Sequence, residues 1–394
     1  MSALAAGLLC LSVLGLAVCL LQHVAVRLHR RATPSPTTSG SPGISVLKPL
    51  CGVDDELLEN LESFAALDYP EFELLLGIAS RQDAAYPVAC TFAERMPARA
   101  RVVVQARAGG LNPKVGQLIG LAAEARHDLL VVSDSNVRVE PGYLREIAEH
   151  LSDPTVGLVT HPIAGLGERS LGSLLDNLEL SSTIGPSMIA AQRLAGFGIV
   201  IGKSMALRRS DLAALGGFER VQDVLAEDYI LGRMVVREAG KRVVVARSPV
   251  INVSTRRSVA DFVDRYARWG VTQRAAVGTG RYGCLVLRYP ISLAAAAALV
   301  HPGSLTCAAL ALSCAARTLM DAWTARVLHP SSLGRRALAI ALKDVLLCFA
   351  WAHGLLRREV TWRGTRLRVL AGSRLARLAE GGDLSGDEGA WREC

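Results

Sequence analysis

Three stretches of the sequence carry polar residues whose types and spacing could do chemistry. In VVSDSN (131–136), Asp134 ends an apolar run and is followed by a hydroxyl residue and an amide. A carboxylate placed there can coordinate a hard divalent cation, because oxygen ligands suit Mg2+ and Mn2+ and the ion can bridge to substrate phosphates. Asp, Ser and Asn serve equally well in a turn or a helix cap. In VLAEDYILGRM (224–234), Glu227 and Asp228 stand side by side in an apolar setting. They read either as a site for a catalytic base or as charges that the helix dipole favours in a first turn. In SVADFVDRYARWG (258–270), Ser258 with Asp261 three residues later predicts a capped helix. Arg265, Arg268 and Trp269 then share one face of it. Two guanidinium groups can clamp phosphate oxygens beside an indole that stacks or faces lipid, and a solvated basic face is the alternative.

The elements that must position these residues begin near Ile44. Strand-length apolar runs (ISVLKP, FELLLGI, RVVVQ, DLLVVSDS) alternate with helical patterns over 55–67, 84–96 and 114–125. That βαβ order predicts an α/β domain with a mainly parallel sheet covered on both faces. Ligands of such sheets bind beyond the carboxyl ends of the strands, where Asp83, the AGGLNPK loop (108–114) and Asp134 fall. The loop is neither GxGxxG nor a Walker sequence, so neither a dinucleotide site nor a P-loop is indicated. Further on, FGIVIGKSMALRRSDLAALGGFE (197–219) reads as a strand, a short helix and a Gly-Gly turn leading into Glu227.

The composition places part of the chain in lipid: 51% of its 394 residues are hydrophobic and the mean hydropathy is +0.30. Residues 4–22 carry no charge over about the 20 residues needed to cross a bilayer. The basic cluster RLHRR (27–31) follows that run instead of preceding it, which favours an uncleaved anchor over a signal peptide and keeps the main domain cytosolic. Residues 1–24 are therefore expected to be the anchor and the Pro/Ser/Thr/Gly-rich residues up to 43 a linker (25–43), with the catalytic domain over 44–282. From 283 to 358 the sequence suggests a helical hairpin turning at His301, Pro302 and Gly303, with Arg288 at the interface, then a re-entrant or interfacial segment interrupted by Lys343, Asp344 and His353. A basic cytosolic tail (359–394) closes the chain. The net charge of +8 lacks any zinc-finger or aromatic RNA-binding pattern, so it points to an anionic membrane surface and not to nucleic acid. Five of the nine cysteines sit in apolar stretches with no CxxC, as small hydrophobes in a reducing compartment. Ala- and Arg-rich usage points to a GC-rich bacterial genome, and so to an inner membrane.

In order, Asp83, Asp134, Asp228 and Arg265-Tyr-Ala-Arg268-Trp269 resemble the D, D, D, (Q/R)xxRW pattern of membrane-bound inverting glycosyltransferases with the nucleotide-sugar-binding, Rossmann-like GT-A fold. Within that group the chain looks most like the ceramide glucosyltransferase family. VLKPLCGVD (46–54), LDYPEFELLL (67–76), GLNPKV (110–115), DSNVRV (134–139), GGF before AEDY (216–229) and VTWRGTRLRV carry the likeness, which covers about residues 44–370. The resemblance implies a GT-A domain with N- and C-terminal transmembrane helices. It implies that Asp83 contacts the uracil or ribose of a UDP-sugar, that Asn112 and Lys114 lie on the donor side, and that Asp134 holds the diphosphate through Mg2+ or Mn2+. Asp228 would be the general base, and Arg265, Arg268 and Trp269 would bind the leaving group and shape the acceptor side. ASRQDAAYP carries one acid where family members can have several, and DSN is not a full DxD.

The function so implied is transfer of a hexose, glucose, from a UDP-sugar to a hydroxyl of a membrane lipid, ceramide, with inversion to a β-glycoside. Hopanoid glycosyltransferases share most of the pattern, including enzymes with an N-acetylglucosamine donor. A processive polysaccharide synthase would need more spans. A catalytically inactive membrane scaffold of the same fold is the reading from another class, and it has no need for the full set of acids and RxxRW.

Overall fold

The computed structural model describes residues 1–31, 40–105, 109–328, 336–362 and 365–378. Its first element, α1 (Ala3–Arg31), is one unbroken 29-residue helix. It runs past the expected end of the anchor at residue 24, because its last two turns are packed and not free. Ala25 and Val26 join the core of the α/β domain, and His29 Nε2 donates to the Ala246 carbonyl at 2.9 Å. Residues 32–39 of the expected linker lie outside the described residues.

The apolar runs of the first half become parallel strands. β1 (Ile44–Leu50), β2 (Phe72–Ile78), β3 (Ala100–Val104) and β4 (Leu129–Val132) are joined through α2 (Leu57–Ala65), α3 (Ala85–Arg95) and α4 (Pro113–Glu124). β1 pairs in parallel with β2 and β4, and β2 with β3. Every residue of β2 is buried, as expected for strands covered on both faces. After β5 (Val137–Arg138) and α5 (Tyr143–Leu151) come β6 (Val156–Thr160), β7 (Ile163–Leu166), α6 (Leu171–Glu179), a π turn at Leu180–Ile184 and α7 (Gly185–Ala195). β8 (Met205–Arg208), α8 (Arg209–Ala214), α9 (Glu227–Arg237) and β9 (Arg242–Val245) complete a seven-stranded sheet of order β3-β2-β1-β4-β8-β6-β9, in which β8 runs antiparallel to both neighbours. The strand expected from Phe197 is confined to Met205–Arg208. Residues 197–204 form an irregular loop, and that loop carries site residues. β10 (Val250–Val253) joins β5 and β7 in a second sheet and delivers the chain to α10 (Val259–Val277).

The last third packs on α10 and α1. α11 (Thr279–Gly283) and a 3-10 turn at Cys284–Arg288 meet α12 (Pro290–Val300) at an angle of 83°. The first arm of the expected hairpin is thus bent, not one straight span. Pro290 supplies no backbone N–H and opens a new helix of 11 residues, ~17 Å long. Three helices among the described residues are long and apolar enough to cross a membrane: α1, α13 (Ser304–Leu328), and Ala339–Leu356 within α14 (Arg336–Leu356). α14 is continuous. The charges that interrupt its apolar run are paired: Lys343 Nζ lies 2.9 Å from Asp321 and 3.1 Å from Glu179, and Asp344 accepts from Ser292 N at 2.9 Å. Ile340 packs with Leu175 and Phe262 near the start of α10, whereas Gly354 closes on Gly270 farther along it, so both ends of α14 lie against α10. β11 (Glu359–Trp362), β12 (Thr365–Val369) and β13 (Leu375–Arg377) then form a small antiparallel sheet, with Val360 and Leu367 packed on Val271 of α10. Among the described residues no disulfide forms.

Candidate active site

Asp134 follows β4, the central strand of the sheet, and is the meeting point of three lysines, two at its carboxylate and one at its backbone carbonyl. Lys114, in the first turn of α4, reaches Oδ1 at 2.9 Å. Lys203, from the irregular loop before β8, reaches Oδ2 at 3.0 Å and also donates to Asn136 Oδ1 at 2.6 Å. Lys48, the single charge in β1, is fully buried, lies 4.0 Å from the Phe64 ring centre and donates to the Asp134 carbonyl at 2.8 Å. The two salt-bridged ammonium groups hold the Asp134 carboxyl well below the usual carboxylate range, although burial acts the other way. Burial pulls Lys48 down to about 7. Lys48 and Lys203 were not legible as site residues. The available signals were a lone Lys in an otherwise apolar strand and a Lys in the Gly-Lys-Ser loop.

Asp228 sits in the first turn of α9 with Glu227, as the local pattern indicated. Their roles differ. Glu227 is buried; its Oε1 pairs with Lys114 at 3.0 Å and its Oε2 accepts from Asn112 Nδ2 at 3.3 Å. Asp228 has no lysine in salt-bridge contact and is held by backbone amides, Gly202 N to Oδ2 at 2.6 Å and Tyr229 N to Oδ1 at 2.7 Å. Burial, reinforced by the adjacent Glu227 charge, pushes its pKa up to about 7. Gly202 is required by close approach: a Cβ there would lie 2.5 Å from Lys114 Nζ and 3.3 Å from Asp228 Oδ2.

Asn112 is a positioning residue. Its Oδ1 caps α4 by accepting from Lys114 N and Val115 N, and its amide also donates to the Val224 carbonyl at 2.7 Å. It is almost wholly buried. The tail sheet holds the other side of this loop: Ser373 accepts from Leu225 N at 2.8 Å and, through its hydroxyl, from Ala226 N at 3.1 Å. Asp83 lies beyond β2, where its Oδ1 accepts from Gly52 N and Ala85 N at 2.8 and 2.9 Å and ties together the loops after β1 and β2.

The Ser258–Asp261 capping box forms as expected and starts α10. Arg265 turns inward onto fully buried Asp176, at 3.4 Å, and its guanidinium lies 4.8 Å from the Trp269 ring centre. Asp176 also takes Arg257 at 3.3 Å and the Tyr266 hydroxyl at 3.0 Å. The charges of Asp134 and Asp54 act on Arg265 as well. Arg268 is half-buried, with no ion-pair partner among the described residues. Asp54, hydrogen-bonded by Ser135, and Asp176 were both missed, because the contacts that define them join distant parts of the chain.

The cluster is therefore a crevice at the carboxyl ends of parallel strands, in which lysine ammonium groups surround Asp134 and Asp228, a carboxylate of raised pKa, stands beside Lys114 at Gly202. Among the described residues no three His, Cys, Asp or Glu side chains gather as a metal site. Asp134 by itself suits a cation that takes one carboxylate and completes its shell from bound phosphates and water.

An α/β sheet of this order with this crevice defines the chain as a protein of GT-A-like fold. The mannosyltransferase PcManGT from Pyrobaculum calidifontis, solved in complex with GDP-Man and Mn2+, superposes with a TM-score of 0.51 at 20% identity over 90% of this chain and 99% of that one. The family model described as Glycosyl transferase family 21 matches residues 7–375, and the chain belongs to that family. Ceramide glucosyltransferase 1 of Caenorhabditis elegans is 29% identical over 247 residues, 62% of this chain and 52% of the relative. Ceramide glucosyltransferase 3 of the same organism is 28% identical over 251 residues, 63% and 54%. The chain spans about half the length of these relatives.

Proposed function

We propose that the protein transfers a hexose, glucose, from a UDP-sugar to a hydroxyl of a membrane lipid, ceramide, with inversion at the sugar carbon. Membership of glycosyl transferase family 21 and the likeness to ceramide glucosyltransferases support the reaction class and the acceptor. The observation that carries the mechanism is Asp228. Two amides hold its carboxylate, its pKa is lifted to about 7, and it stands one residue from the Glu227–Lys114–Asp134 chain. A base poised near neutral pH accepts a hydroxyl proton and is still ionised in a useful fraction of molecules.

In this mechanism the acceptor oxygen forms a bond to the sugar C1 as its proton passes to Asp228, and the C1–phosphate oxygen bond breaks with its electron pair leaving on UDP. Lys114 and Lys203 neutralise the diphosphate from the Asp134 side, and Arg265 and Arg268 from α10. Asp83 is assigned to the uracil or ribose, and Trp269 to the acceptor side. Mg2+ or Mn2+ held by Asp134 and the donor phosphates would supply Lewis-acid stabilisation of the leaving group. The catalytic domain is assigned to the cytosolic face of a bacterial inner membrane, with α1 as anchor and the basic end of that helix inside. α14 lies along that face, since both of its ends meet the domain. Purified protein in detergent, given several UDP-sugars, divalent metal and a panel of ceramide, hopanoid and sterol acceptors, tests the reading. Polymer, or no transfer to any lipid, would reject it.

A further inference from the structure

A groove of about 320 Å³ runs between α1 and α7, walled by Val18 and Leu21 on one side and Ala191 and Leu194 on the other. Leu21, on α1, a helix apolar and long enough to span a bilayer, is 53% exposed, and Leu194, on α7 across the groove, is 56% exposed. A second cavity of about 20 Å³ lies beyond the groove and is lined by Tyr266 and Trp269 of the RxxRW helix, with Glu179. Leu285 and Arg288, on the 3-10 turn that begins the bent segment, line both spaces. Arg288 Nη2 donates to Ser187 Oγ at 3.0 Å, and the guanidinium has no carboxylate partner among the described residues.

An apolar groove, a cation at its inner end and an aromatic cavity beyond match the order of parts in one lipid. We propose that the groove between α1 and α7 holds a hydrocarbon chain of the acceptor lipid, and that Arg288 binds the polar linkage between chain and head group. The head-group hydroxyl then points past Leu285 toward Trp269. This deepens, and rests on, the lipid-acceptor reading above. The volumes suit the assignment. The groove falls in the range of roughly 300–1,000 Å³ typical of ligand sites, whereas the inner cavity has room for about one water and so admits a hydroxyl end but not a chain. An arginine without a carboxylate, at the edge of apolar surface, keeps its hydrogen-bonding capacity for amide, ester or hydroxyl oxygens of a lipid. Entry through a groove open along α1 lets the acceptor leave the bilayer sideways while its chain stays out of water.

The test uses the full chain in phosphatidylcholine vesicles with ceramide carrying a diazirine in its acyl chain. Photolabel is expected on α1 near Val18 and Leu21 and on α7 near Ala191 and Leu194, displaced by unlabelled ceramide but not by added phosphatidylcholine. Ala191→Trp, which fills the groove, should raise KM for long-chain ceramide at least tenfold and leave UDP-glucose affinity within about twofold. Label elsewhere, or label displaced equally by phosphatidylcholine, while glucosyl transfer to ceramide persists, overturns the groove assignment alone. No transfer to ceramide or to any other lipid from the same preparation overturns the acceptor reading beneath it.

Discussion

The backbone amide of Gly202 donates to Asp228 Oδ2 at 2.6 Å, so the loop that carries Lys203 also aims the candidate base. In the proposed mechanism the two halves of the site, phosphate clamp and base, are joined through one residue without a side chain.

The raised pKa of Asp228 sets a pH dependence. With the base protonated below about 7, kcat/KM should fall about tenfold per pH unit on the acid side and level off above neutrality. A pH–rate profile at saturating UDP-sugar measures it. The same shift has a stability consequence. A carboxyl whose folded pKa stands above the ~4 of an unfolded Asp contributes stability that is present below that value and lost as pH rises through about 7. Asp228→Asn should therefore melt higher than wild type at pH 8, with the difference closing near pH 4.

Gly202→Ala should fold and lose activity. The added Cβ meets the tip of the Lys114 side chain at 2.5 Å, which can swing aside only by leaving Asp134 and Glu227. Displacements of that size at a reacting centre cost about 10²-fold. The expected result is a kcat lower by about that factor, together with a lower melting temperature as Asp134 and buried Glu227 lose a cation.

Asp176 should matter for stability more than any exposed acid. It is fully buried against Arg257, Arg265 and the Tyr266 hydroxyl. Asp176→Ala leaves two cations without their carboxylate in the interior, a change that costs about 3–5 kcal/mol in buried pairs. Thermal melts in detergent should show a large drop, and UDP-sugar affinity should fall with it as Arg265 loses its anchor.

Divalent metal should bind tightly only together with the donor. Both Asp134 oxygens are engaged by lysines, and no group of three or more acidic, His or Cys side chains gathers there among the described residues. The phosphates must complete the shell. Mn2+ titrations followed by electron paramagnetic resonance should show weak binding alone and at least tenfold tighter binding with UDP.

The parallel half of the sheet, the acids that end its strands and the capped RxxRW helix were legible because each is written in a local pattern. Ser258 with Asp261, for example, needs only four residues to declare a helix start. Lys48, Lys203 and Asp176 were not, since each acquires meaning only from a partner on a distant element. The cap that Asn112 makes on α4 and its bond to the Val224 carbonyl were not legible, because both depend on how the loop packs against a distant segment. In the membrane region hydropathy identified apolar length correctly but averaged over Pro290, where the helix turns by 83°.

The most direct test compares wild type and Asp228→Asn in detergent, following labelled sugar from a UDP-sugar into extractable lipid alongside the dissociation constant for the donor. Loss of the base predicts a kcat reduced about 10²–10⁴-fold with donor affinity within about threefold. Transfer at the wild-type rate by Asp228→Asn would contradict the assignment of the base and the mechanism built on it.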